Sequence, residues 1–262
     1  MNRKLSVGDT LSEVFSTYGA HAGVLLPVAF WLFLVVAIVD GVVGSNLGLL
    51  PLVIVVSTIA GTLYQGMVVG LVRDVQDGRR DSSVGELFGF AAPVLLPLIG
   101  AGIISGIAIG IGMILLLVPG LILLTIWAVI APAIVIERAS IFEAFGRSRE
   151  LVRGNGWSVF GVVVIAYLIS VIGGFIFGAI AAGISDGPII RIVFSALAST
   201  ITAPIIALAA GVLYYRLLAI SGGPGPVAAE PPLTSTSPPP AEPPAPPASE
   251  PPPPPPPAPP AA

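Results

Sequence analysis

From Ala91 to Ile136 not one residue carries a charge. In lipid every backbone polar group must be satisfied internally, so an apolar run of this length belongs in spanning helices. A span takes roughly 20 mostly apolar residues, so this stretch holds two. The rest of the chain agrees. Of its 262 residues 55% are hydrophobic and 10% charged, against about 25% charged in soluble domains. Run length places six spans, at roughly 22–43, 47–72, 93–117, 120–136, 157–183 and 190–215. Only Pro119-Gly120 separates the third from the fourth, which predicts a tight turn at that dipeptide. The expected fold is all-α: a polytopic bundle of six transmembrane helices over residues 1–221, followed by a tail over 222–262.

Six spans bring both ends of the bundle to one side. Ten of the eleven Lys and Arg fall on that side: Arg3, Lys4, Arg73, Arg79, Arg80, Arg138, Arg147, Arg149, Arg153 and Arg216. Only Arg191 falls on the other. The positive-inside rule therefore predicts cytoplasmic termini in a plasma membrane. The first apolar run begins near Ala22 and is too long for the core of a signal peptide, so no cleaved signal is expected. A reporter fused after Ser221 should read as cytoplasmic, and one inserted at Ser45 or Asp186 as external. The opposite result at either end removes the orientation argument.

The spans come with a repeated prelude. SVGD starts at Ser6, SVGE at Ser83 and SIFE at Ser140, each a Ser-x-x-acid capping-box pattern. Phenylalanine follows each time (Phe15, Phe88, Phe142 and Phe145), and then a pair of spans. The first two copies also share VLLP, at Val24–Pro27 and Val94–Pro97. The chain thus reads as three units, each a short helix plus a hairpin. In the first short helix Val7, Leu11, Val14, Phe15 and Tyr18 share one face. Such a helix either lies in the interface plane or packs on the ends of the spans.

The tail is a different material. Twenty of residues 222–262 are proline, so it cannot bury a core, and a disordered, polyproline-II-like segment is expected. A flexible cytoplasmic tail and a docking peptide for a protein partner are both open readings.

The composition narrows the chemistry. With no cysteine there is no thiolate metal site, disulfide or cysteine nucleophile. His21 is the one histidine, which rules out a multi-histidine site. A net charge of −3 gives no reason to expect nucleic acid. No cofactor, metal or catalytic residue is expected. Polar groups within the spans are few: Asp40 near an outer end, Tyr64 and Gln65, and small hydroxyl residues such as Thr58, Ser105, Thr125, Ser170, Ser195, Ser199, Thr200 and Thr202. Their expected role is bonding to their own or neighbouring helices. Gly66/Gly70, Gly102/Gly106/Gly110, Gly174/Gly178 and Ala203/Ala207/Gly211 are spaced for close helix contact.

One polar patch stands out. ERASIFEAFGRSRELVR, Glu137–Arg153, carries seven charges. As a helix from Ser140 it puts Ile141, Phe145, Ser148 and Val152 on one face. Glu143 and Arg147, four apart, form a favourable pair on another. Arg147, Arg149 and Arg153 are placed to meet anionic lipid headgroups.

The same region resembles the membrane domain of glycerophosphoryl diester phosphodiesterases and related six-span bacterial proteins. The pattern is Pro119, Gly120, Trp127, Pro132, Glu137, Ala144, Ser148, Leu151 and Gly154. The likeness implies shared membrane architecture. It does not carry the phosphodiesterase reaction, which belongs to a separate soluble barrel with essential His and acidic residues that this sequence lacks. The expectation is a non-catalytic, accessory or organising protein of a bacterial plasma membrane. The alternative is a transporter or channel for a small or lipid-like solute.

Overall fold

The computed structural model describes residues 5–43, 46–78, 83–185 and 187–222. The proline-rich segment from 223 lies outside them. The described residues form helices α1 (Val7–Val43), α2 (Leu50–Gln76), α3 (Val84–Ala91), α4 (Leu95–Leu115), α5 (Leu117–Ile126), α6 (Ile130–Glu137), α7 (Ile141–Val152), α8 (Gly156–Ile184) and α9 (Pro188–Ser221). Six helical stretches are long and apolar enough to span: α1, α2, α3–α4, α5–α6, α8 and α9. The protein is an all-α multi-pass membrane bundle. Outward-facing Val35, Ile54, Ile107, Ile114, Val171 and Phe175 are exposed, an apolar surface suited to a bilayer.

The long helices α1 and α9 run against each other over most of their length, and α8 flanks α9. The core sits where they meet α2: Val14, Tyr64, Val68, Val72, Val159, Leu208, Leu213 and Leu217 are all buried. A smaller core joins α2, α4, α6 and α7 through Val69, Leu98, Ala133, Ile134 and Ala144.

The three-unit order is present, but each short helix joins its span differently. The first is continuous with its span inside α1, bent at His21 (φ −115°, ψ 15°). Gly19 and Gly23 flank the bend, and Pro27 downstream leaves the Gly23 carbonyl without its helical donor. In the second unit α3 turns into α4 through one 3₁₀ turn, Ala92–Val94. In the third, α7 is separated from α8 by a turn at Gly154 (φ 87°), where the left-handed conformation favours glycine. The caps follow the pattern. The Ser6 hydroxyl accepts from the Asp9 N–H at 3.3 Å. Ser83 and Glu86 exchange both bonds, at 3.3 and 3.1 Å. The Ser140 N–H donates to Glu143 at 2.9 Å. The first helix packs on the bundle, with Thr10 and Val14 wholly buried and Phe15 left outside.

The third and fourth spans depart from the sequence reading. The turn is not at Pro119-Gly120 but at Leu116, whose extended backbone (φ −155°, ψ 120°) ends α4. Pro119 and Gly120 sit inside the first turn of α5, where proline costs little because those N–H groups have no helical partner. Gly120 serves the hairpin through its lack of a side chain: a Cβ there would lie 2.6 Å from the Met113 backbone nitrogen. The fourth span is also not continuous, being interrupted at Trp127–Val129 between α5 and α6. Pro132 lies four residues past Ala128 and cannot donate to its carbonyl, so the helix yields just upstream.

Candidate functional site

The break between α5 and α6 frees backbone groups in a buried place, and α7 supplies what they lack. The Ser148 hydroxyl donates to the Ile126 carbonyl at 2.7 Å. It also accepts from the Val129 N–H at 3.4 Å. Ser148 is fully buried, with 0% of its surface exposed, so no bulk water could stand in for it. Beside it the Trp127 and Phe145 rings meet edge to face, 4.8 Å between centroids. The buried stripe of α7 runs through Ala144, Ser148, Leu151 and Val152. Ile141 and Phe145, expected on this face, are half-buried and pack against the smaller core.

Charged ties bind the helix ends around this joint. The Arg147 Nε donates to both Glu137 oxygens, at 2.8 and 3.0 Å, and the Tyr214 hydroxyl donates to Glu137 at 2.7 Å. The expected Glu143–Arg147 pair is therefore replaced: Arg147 turns back to Glu137, with Glu150 at 3.8 Å, while Glu143 serves the helix cap. The Ser140 N–H and hydroxyl hold the Glu143 carboxyl below the usual carboxylate range. The guanidinium of Arg138, on a left-handed residue (φ 55°) that reverses the chain, lies 4.8 Å from the Phe90 ring centre, and that of Arg73 lies 4.9 Å from it. A second tie joins the first and last spans. Arg216 donates to Glu13 at 2.7 Å and to the Asp9 carbonyl at 3.0 Å, and Gln76 donates to Glu13 at 3.0 Å.

Among the spans, α2, α4, α5–α6, α8 and α9 line a partly open cavity of about 180 Å³. Its polar lining is Thr62, Gln65, Ser105, Trp127 and Tyr167. The Thr62 and Ser105 hydroxyls are committed to carbonyls of their own helices, Thr58 at 2.6 Å and Gly102 at 3.2 Å. The Gln65 amide has no hydrogen-bond partner among the described residues. Gln65 is half-buried on the cavity wall, and an amide without a protein partner is satisfied there by water or a polar solute. At about 30 Å³ per molecule, the space suits a handful of waters.

Most other intramembrane polar groups behave as their sequence context suggests. Thr125, Thr200 and Thr202 bond to carbonyls of their own helices. Tyr64 crosses to the Leu25 carbonyl at 3.3 Å, and Ser170 reaches towards the Thr202 carbonyl at 3.5 Å. Gln65 was expected to pack between helices, and the structure places it on the cavity wall instead. Sequence reasoning did not single out Tyr167, Thr62, Tyr214 or Gln76. Tyr167, a lone phenol in VVVIAYLIS, was the visible signal; the others had none. Of the close-contact spacings, Gly66 and Gly70 face Ala91 and Phe90 of α3, while Gly106, Gly110, Gly174 and Gly178 have open space beside them.

Comparison with family models, curated proteins and solved structures finds no match to this chain.

Proposed function

We propose that the protein is a non-catalytic, accessory or organising component of a bacterial plasma membrane, with both termini in the cytoplasm. The observation that best supports this is the work done by the nine residues of the Pro119–Gly154 pattern. Gly120 lets the hairpin close, Pro132 and Ser148 make and seal the break, Glu137 anchors the tie to Arg147 and Tyr214, Ala144 and Leu151 are buried, and Gly154 turns the chain. Trp127 alone among them also lines the cavity. A pattern devoted to holding helices together describes a scaffold, and the resemblance it carries likewise implies architecture rather than reaction.

A second reading, a transporter or channel for a small or lipid-like solute, is favoured by the Gln65 amide in its cavity. One experiment separates the two, and the absence of native cysteine makes it clean. Gln65→Cys should resist a charged, membrane-impermeant thiol reagent from both sides of the membrane, while Glu150→Cys, whose parent side chain is 74% exposed, labels readily. Labelling of Gln65→Cys would show an open path from bulk water and replace the scaffold reading with the transport one.

A further inference from the structure

Between α5 and the start of α8 runs a groove of about 550 Å³ with an almost wholly apolar wall. Val118, Leu121, Ile122 and Thr125 line it from α5, at the spacing of one helical face. Trp157 and Phe160 line it from the first turns of α8. Trp157 is 87% exposed, the placement of an aromatic residue at a membrane–water interface. The groove shares Ile126, Val152, Gly154 and Gly156 with a second hollow of about 470 Å³ whose wall includes Arg149, Glu150 and Arg153. An apolar trough therefore ends at a charged mouth.

The charges at that mouth are not equivalent. Glu150 is drawn toward Arg147 at 3.8 Å, and Arg147 is held by Glu137. Arg149 and Arg153 are exposed and make no ion pair among the described residues. The mouth thus has two uncommitted cations, and glycines 154 and 156 leave its floor without side chains.

The geometry points to a binding site for one anionic phospholipid, its acyl chain along the α5–α8 groove and its phosphate at Arg149 and Arg153. Both halves of the ligand are matched. A zwitterionic lipid fits the trough but brings its own cation to the mouth, and a free phosphate satisfies the arginines and leaves the trough empty. Arg147, although in the same basic cluster, takes no part because Glu137 already neutralises it.

The test is native mass spectrometry of the full chain in detergent, titrated with phosphatidylglycerol or with phosphatidylcholine of the same chains. Phosphatidylglycerol should be retained more tightly. Arg149→Gln with Arg153→Gln should weaken it about thirty-fold, taking about 1 kcal/mol per cation near the surface and 1.4 kcal/mol per tenfold. Leu121→Trp, which fills the trough, should weaken both lipids and leave the preference for phosphatidylglycerol in place. Arg191→Gln, on the opposite side of the bundle, should change nothing. Among the described residues neither the Arg149 nor the Arg153 side chain holds a partner, so the double variant should keep the parent melting temperature, and Arg149→Lys with Arg153→Lys should restore most of the binding. Equal retention of the two lipids, or full retention of phosphatidylglycerol by the double glutamine variant, overturns the proposal. Displacement of phosphatidylglycerol by millimolar glycerol phosphate would show a headgroup site alone and overturn the two-part site.

Discussion

Gly120→Val is expected to prevent the α4–α5 hairpin from closing. A Cβ at Gly120 falls 2.6 Å from the Met113 nitrogen, and one at the facing Gly112 falls 3.0 Å from the Gly120 Cα. The obstacle is backbone on both sides, so no rotamer change relieves it. Overpacking against movable side chains costs typically about 1–3 kcal/mol; here the two helices of the hairpin must separate, and the loss should reach or exceed the top of that range. Folded protein recovered in mild detergent should fall sharply, and what remains should melt well below the parent. Gly106→Val is the matched control, since nothing lies within 4 Å of a Cβ there. If Gly120→Val melts with the parent, the hairpin contact does not hold the third and fourth spans together.

Ser148→Val should come next in severity. The substitution adds a methyl group's volume to a fully buried site, as Ser148→Thr also does, and in addition removes the donor to Ile126 and the acceptor from Val129. Each stranded backbone group costs about 1–3 kcal/mol, so a total of about 2–6 kcal/mol is expected. The decisive readout is local: amide exchange at Val129 should accelerate more than at Val159, whose N–H keeps its own helical bond to the Asn155 carbonyl in α8. Ser148→Thr retains the hydroxyl and should recover most of the protection. Unchanged exchange at Val129 in the valine variant would mean that the break is sealed by something other than Ser148.

These two positions also mark what the sequence could and could not tell. The six spans were legible because hydrophobic run length is a one-dimensional signal, and uncharged Ala91–Ile136 states it without ambiguity. The capping serines were legible for the same reason: Ser83 and Glu86 interact across three residues. Gly120 was noticed but misassigned. Proline and glycine together read as a turn, whereas the structure uses them as a helix start and a bare surface. Ser148 stood out in the pattern, yet nothing in its neighbourhood indicates a partner twenty-two residues upstream. Arg147 shows the limit most clearly. The local rule offers Glu143 four residues away, and the fold instead presents Glu137 ten residues away, with Tyr214 from a distant span beside it. The cavity could not be read at all, because its wall draws on five spans and no single segment encodes it.

The arrangement of the ties bears on how the chain is finished as it is made. Tyr214 and Arg216 lie two residues apart near the end of α9, and each reaches an element synthesised much earlier: Glu137, 77 residues back, and Glu13, 203 residues back. Until the last helix has entered the bilayer, Glu13 lacks its arginine and Glu137 its phenol. Arg147 is available to Glu137 sooner, when α7 emerges, and Ser148 seals the fourth span at the same moment. Assembly therefore has two closing events, one midway and one at the end. A chain stalled before Tyr214 holds its first five spans with Glu13 short of its arginine and Glu137 short of its phenol. Such an intermediate carries a Glu13 carboxylate without its cation, which the arrival of α9 neutralises.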